Sequence, residues 1–135
     1  MTIYTCENTF EAMMTCIYDA WDSKKGHQNI RLKAEPVGDM ELFCEYRPIQ
    51  TDTAKAQKVI RSIQRKLSNT AYIMVYRCAM SEQPDKLDRI YRFLLLGFAY
   101  PDKITDMLQH PYVNAVFALS RSVMNEAHIF REIVR

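Results

Sequence analysis

The sequence has no long apolar run, and this absence limits where the protein can reside. Its apolar stretches, such as Phe93-Leu94-Leu95-Leu96, are far shorter than the roughly 18 residues that a membrane-spanning helix needs. Residues 1–16 carry acids and lack a basic start followed by an apolar core, so we expect no secretory signal peptide. We therefore predict a cytoplasmic protein that does not associate with a membrane.

Paired cysteines are also lacking. The four cysteines, Cys6, Cys16, Cys44 and Cys78, lie in separate segments, and none belongs to a C-x-x-C motif. This spacing argues against a structural zinc site or a redox pair. We therefore expect no metal and four reduced thiols, as is typical of a reducing compartment.

Catalytic signatures are missing as well. The chain contains no G-x-S-x-G, P-loop, H-E-x-x-H, dinucleotide-binding or deaminase motif. Without such a constellation, a role that needs neither catalysis nor a cofactor is favoured.

What the sequence does contain is typical of a globular domain. Of its 135 residues, 48% are apolar and 25% are charged. A chain of this length can bury enough surface to fold without disulfides or metals. We predict a single domain over residues 1–135.

The first 50 residues predict a small β element and one helix. Residues 2–6 alternate β-forming side chains, and Asn8 with Glu11 forms a capping-box pattern for the helix that follows. Residues 30–34 and 42–46 are β-like pieces among prolines and a glycine. We interpret this part of the chain as an irregular or hairpin segment.

From residue 51 onward the periodicity is helical. One helix is predicted from a cap at Thr51, Asp52 or Thr53 to about residue 67. The next, over about residues 70–80, is apolar on nearly all sides, so we expect it to be the most buried. Three further helices are predicted: one opened by residues 83–85 and running to about residue 96, with Gly97 as the stop, one over residues 101–108, and one from Pro111 onward. The predicted fold is mainly α, a compact bundle of about six helices with a small N-terminal β element.

Positive charge is concentrated in one segment. The net charge is only +2, but residues 51–79 hold one acid against six bases. On a helical wheel, five of these bases share one arc opposite the apolar side: Lys55, Lys58, Arg61, Arg65 and Lys66. Such an arc suits the phosphate backbone of a nucleic acid. An ordinary solvated face is the alternative interpretation.

The last predicted helix carries a second pattern. Arg121, His128 and Arg135 are spaced by seven and line one edge beside its apolar arc. One interpretation is that these side chains bind a phosphate or a protein partner. The other is that their aliphatic parts pack on apolar surface while their charged groups stay in water. Arg92 and Glu126 are further candidates for a polar site.

Two motifs carry a family resemblance. They are Y-R-x-x-x-x-G-F (Tyr91, Arg92, Gly97, Phe98) and L-x-R-x-V-x-x-E-x-H (Leu119, Arg121, Val123, Glu126, His128). With the opening strand and helix, they resemble the bacterial family of probable DNA-metabolism proteins. That family is a domain of unknown function encoded beside a radical-SAM protein of DNA modification or repair, and is sometimes joined to a uracil-DNA-glycosylase-like domain. Family members have glycine and phenylalanine where this chain has Glu132 and Ile133, and they continue beyond Arg135, so we expect a truncated or short member.

The resemblance implies a role in DNA metabolism without a demonstrated reaction. Our hypothesis is an accessory module of DNA metabolism or repair that binds nucleic acid, or docks a radical-SAM partner, through the basic surface and performs no chemistry of its own. The alternative is a nucleic-acid hydrolase or glycosylase fragment that uses Glu126 and His128. The oligomeric state stays open.

Overall fold

The computed structural model describes the backbone of residues 1–134 and the side chains of residues 1–104 and 106–126. Within these residues the chain forms three strands and five α-helices. They are β1 (Thr2–Cys6), α1 (Phe10–Asp22), β2 (Ile30–Ala34), β3 (Glu45–Pro48), α2 (Thr53–Ser62), α3 (Asn69–Ala79), α4 (Lys86–Ala99) and α5 (Pro111–Val134). The predicted sixth helix at 101–108 is wrong, because only a single 3-10 turn, Ile104–Asp106, forms there.

The sheet is larger than the small element predicted, and it is parallel. β1 lies in the centre, with β2 on one side and β3 on the other. Tyr4 of β1 is level with Leu32 of β2 and Arg47 of β3. A hairpin of residues 30–50 is therefore wrong, since β2 and β3 pair with β1 and not with each other. The bounds of β2 were predicted correctly, whereas β3 begins at Glu45, after a turn at Phe43 (φ 62°).

Helix α1 follows β1 and packs its buried side against the sheet. Its cap is Thr9, whose Oγ1 accepts a hydrogen bond from the Ala12 amide at 3.1 Å. The prediction of Asn8 as the cap is wrong by one residue, because the Asn8 carboxamide oxygen accepts from Lys86 Nζ at 2.7 Å instead. The Asn8 side chain, which the capping box would use, therefore contacts a residue distant in sequence instead.

Helix α2 extends without a break into a π-helical turn over Ile63–Leu67, so the predicted end near residue 67 is confirmed. Asp52 is the cap, and its carboxylate accepts from the Lys55 amide at 3.2 Å. The widened turn brings Leu67 against Gly97 of α4, where a Cβ atom would lie 2.9 Å from a Leu67 methyl carbon. Gly97 therefore permits a close helix contact and does not stop α4, which continues to Ala99.

The most buried helix is not the one predicted. Helix α3 buries only one face and exposes Ile73 and Tyr76, and Met80, directly after the helix, is exposed too. Apolarity on all sides indicates tolerance of burial, but the neighbours decide which face is covered. Helix α4 contributes more to the core, with five large side chains fully buried: Leu87, Ile90, Tyr91, Phe93 and Leu94.

The last helix, α5, begins at Pro111 as predicted and packs against α3 and α4. The Cys78 thiol of α3 donates to the Val116 carbonyl of α5 at 3.2 Å. Neither α5 nor another helix within the described part of the chain is long and apolar enough to cross a membrane.

Candidate functional site

The basic face of α2 comprises the five predicted bases, Lys55, Lys58, Arg61, Arg65 and Lys66. Arg61, Arg65 and Lys66 are exposed on α2 and its π-helical extension. None of the ion pairs among the described side chains involves these three residues. Three positive charges are thus presented to solvent within six consecutive residues.

The other two bases of the face contact side chains of α1. Lys55 Nζ lies 2.9 Å from Asp19 Oδ1, and this hydrogen bond and the carboxylate charge raise the pKa of Lys55. The ammonium groups of Lys55 and Lys58 lie 5.6 and 5.8 Å from the centre of the Tyr18 ring. Lys55 is therefore already paired, whereas Lys58 is exposed and keeps its charge available.

A cleft of about 710 Å³ opens beside the basic face, between α1, α2 and the C-terminal part of α4. We call it the α1–α2–α4 cleft. Aromatic and basic side chains share its lining: Tyr18, Trp21, His27, Lys58, Lys66 and Phe98. The basic face and the cleft form one continuous surface, because Lys58 and Lys66 belong to both.

Trp21 is the largest exposed ring in this cleft. It retains 45% of its surface exposure although it touches two other rings. Phe98 meets it in a T-shaped contact with ring centres 5.8 Å apart, and His27 lies 5.5 Å away at a tilt of 43°. Neither contact is a parallel stack, so part of the indole surface is left for a ligand.

The segment that carries His27 is fixed by α4. His27 Nδ1 lies 2.8 Å from the Tyr91 hydroxyl, and burial raises the pKa of Tyr91 to about 12, so this hydroxyl is protonated at neutral pH. The Arg92 guanidinium donates to the carbonyls of His27, at 2.6 Å, and of Ile30. Asp88 Oδ1 accepts from the Leu32 amide of β2 at 3.2 Å. Helix α4 therefore holds both β2 and the segment before it.

These contacts give the Y-R-x-x-x-x-G-F motif a structural role. Tyr91 and Arg92 anchor His27, Gly97 admits Leu67, and Phe98 packs on Trp21. Phe98 lines the cleft, and Tyr91 and Arg92 hold His27, which lines it too. The motif therefore shapes the cleft, although Arg92 itself is occupied by backbone carbonyls.

The candidates on α5 lie apart from these contacts. Arg121 and Glu126 are exposed, and no described contact joins Glu126 to Arg92. The side chain of His128 and the whole of Arg135 lie outside the described residues. The edge of α5 therefore stays a prediction, and the structure brings together only the candidates on α2.

Comparisons with protein-family models, with curated proteins and with solved structures found no match for this chain. No fold or function is thus transferred from a known protein. Among the side chains that the structure describes, no group of three or more His, Cys, Asp or Glu residues could hold a metal ion. The arrangement offers cation and ring surface for binding.

The cleft was not predicted from the sequence. Trp21 occurs at helical spacing among apolar residues of α1, a pattern that favours burial. The signal in the sequence is the polar run Asp22 to Lys25 directly after Trp21, which places it at the end of a helix and near solvent. Phe98 is too distant in sequence, and His27 lies beyond the end of α1, so no helical spacing places either ring beside Trp21.

Proposed function

We propose that this chain is a nucleic-acid-binding accessory module that contacts a phosphate backbone through the basic face of α2. The observation that carries the proposal is the set of three exposed cations, Arg61, Arg65 and Lys66, which no described carboxylate neutralises. No acid occurs between Lys55 and Arg77, and the one described ion pair on this face joins Asp19 to Lys55, so Arg61, Arg65 and Lys66 keep their positive charge unpaired.

The motifs' resemblance to probable DNA-metabolism proteins points to the same role, although no family model matches the chain. A role in DNA metabolism requires either contact with DNA or contact with a protein that acts on DNA. Docking of a radical-SAM partner through the same basic face is therefore the second form of the proposal. No contact among the described residues supports the enzymatic alternative, because Glu126 is exposed on α5 and the side chain of His128 lies outside the described residues.

The salt dependence of DNA binding tests the proposal. Replacing Arg61, Arg65 and Lys66 together by glutamine removes three potential phosphate contacts. On duplex DNA the slope of log K against log salt should become shallower by about 2.7, at roughly 0.9 per contact. Fluorescence anisotropy with a labelled oligonucleotide at several salt concentrations measures this slope.

A matched control separates local charge from net charge. The variant R31Q/R47Q/K103Q removes the same number of charges from β2, β3 and the turn after α4, all at exposed positions. It should bind with the wild-type slope. Equal slopes for the wild-type chain and the α2 variant, or no binding at low salt, would rule out the nucleic-acid form of the proposal. Thermal unfolding should show little change in either variant, since exposed substitutions rarely alter stability by more than about 0.5 kcal/mol.

A further inference from the structure

We propose that the α1–α2–α4 cleft is a stacking site for one unpaired base of a single strand whose phosphates lie on the basic face. This inference rests on the proposed function and deepens it, because it names single-stranded nucleic acid as the ligand and Trp21 as the stacking platform. The basic face alone gives no reason to prefer a single strand over a duplex.

The first support is the size and lining of the cleft. Its volume of about 710 Å³ lies within the range of roughly 300–1,000 Å³ found for pockets that hold small ligands. Four rings line it, Tyr18, Trp21, His27 and Phe98. Proteins that hold single strands without sequence preference stack successive bases on such rings beside a positive groove.

The second support is the ring surface that Trp21 leaves uncovered. Its contacts with Phe98 and His27 are edge-on and tilted, and 45% of the residue stays exposed. An exposed tryptophan costs solvation free energy that a stacked base would recover. The neighbouring His27 ring is also held in place, because Tyr91 and Arg92 form hydrogen bonds with His27.

The third support is the distribution of charge around the cleft. Lys58 and Lys66 line it, and Arg61 and Arg65 continue the positive surface along α2. A base seated on Trp21 would carry its flanking phosphates towards these cations. Asp22 is a carboxylate in the lining, an acceptor that suits the amino or N–H group of a base.

A duplex cannot use this cleft without an energetic cost. Its bases are stacked and paired, so one would have to leave the helix at a cost of a few kcal/mol. The chain should therefore bind a single strand more tightly than a duplex of the same length. The basic face alone would favour the duplex, which has the higher charge density.

The fluorescence of Trp21 gives a direct test in the wild-type chain. The sequence contains one tryptophan, so emission excited where tyrosine does not absorb reports on the cleft alone. An oligothymidylate should quench it as it binds. An oligomer of equal length and charge in which every position is abasic should bind through its phosphates and leave the emission nearly unchanged. Equal quenching by both oligomers would overturn the inference.

Substitution of Trp21 gives the second test. Trp21→Ala should weaken binding of the oligothymidylate roughly tenfold, since stacking of one base is worth about 1–3 kcal/mol. It should leave duplex affinity and its salt slope unchanged. Phe117→Ala, which removes an exposed ring on α5, is the control and should bind like the wild-type chain. Trp21→Phe retains a ring for packing on Phe98 and should bind with intermediate affinity, which guards against loss of folding in the alanine variant.

The outcomes separate this inference from the proposed function. Duplex and single strand bound equally, with Trp21→Ala indistinguishable from the wild-type chain, would overturn the stacking site and leave the basic face in place. Binding of neither nucleic acid at low salt would overturn both.

Discussion

Replacing Lys86 by methionine should destabilise the fold by about 3 kcal/mol. Lys86 is 5% exposed, and its ammonium group donates to Asn8 Oδ1 at 2.7 Å and to the carbonyls of Ala79 and Ser81, each at 2.8 Å. Burial lowers the pKa of Lys86, and these three acceptors stabilise its charged form. Methionine keeps the length of the stem but leaves buried acceptors unpaired, each at a cost of about 1–3 kcal/mol.

The position of Lys86 explains why the effect should be global. Ala79 is the last residue of α3, Ser81 follows it, and Asn8 precedes α1. One ammonium group therefore ties three segments together. Urea unfolding of K86M measures the loss, and Lys66→Met, at an exposed position, is the control that should change stability by less than about 0.5 kcal/mol. Equal stabilities for the two variants would show that the three hydrogen bonds contribute nothing.

The free energy of unfolding should fall at alkaline pH because Tyr91 is buried. Burial raises the pKa of Tyr91 to about 12, whereas an unfolded tyrosine ionises near pH 10. The folded chain thus keeps a proton that the unfolded chain releases between these values. The resulting stabilisation is complete below about pH 10 and is lost as the pH rises through about 12, by roughly 3 kcal/mol.

Phenylalanine at position 91 isolates this contribution from the other groups that titrate at alkaline pH. Tyr91→Phe cannot ionise, so its unfolding free energy should decline less steeply above about pH 10 than that of the wild-type chain. At neutral pH it should lose only about 1 kcal/mol, since His27 is exposed and can bond to water instead. Parallel decline of both proteins with pH would contradict the assignment of Tyr91.

Local signals in the sequence identified most of the elements. The alternation in residues 2–6 and the β-like residues 30–34 match β1 and β2 in their observed bounds. Asp52 was one of three candidate caps for α2, and Pro111 marked the start of α5. These features depend on neighbouring residues, through capping or side-chain period, so a sequence contains the information that fixes them.

The predictions were wrong where residues distant in sequence determine the local structure. Nothing near β2 or β3 records that both pair with β1, so a parallel sheet could not be distinguished from a hairpin. Gly97 was interpreted as a stop because the close approach of Leu67 involves a residue thirty positions away. Asn8 does not cap α1, because its side chain accepts a hydrogen bond from Lys86 instead.

The candidate site likewise has one part that the sequence predicted and one part that it did not. The basic face follows from the spacing of five bases on one helix, which the sequence displays directly. The cleft beside it combines Trp21 of α1 with Phe98 of α4, and only the folded chain brings these rings together. The charge of the face was therefore predictable, and the aromatic cleft beside it was not.

Mapping the contact surface by amide NMR tests the central claim most directly, namely that α2 and the α1–α2–α4 cleft together bind a nucleic-acid strand. The backbone amide resonances of the labelled chain would be followed during titration with an oligothymidylate at low salt. Binding at this surface should shift resonances mainly in residues 17–27, 55–67 and 95–99, together with the side-chain N–H of Trp21. Shifts confined to β2, β3 and α3, or no shifts at saturating oligonucleotide, would contradict it.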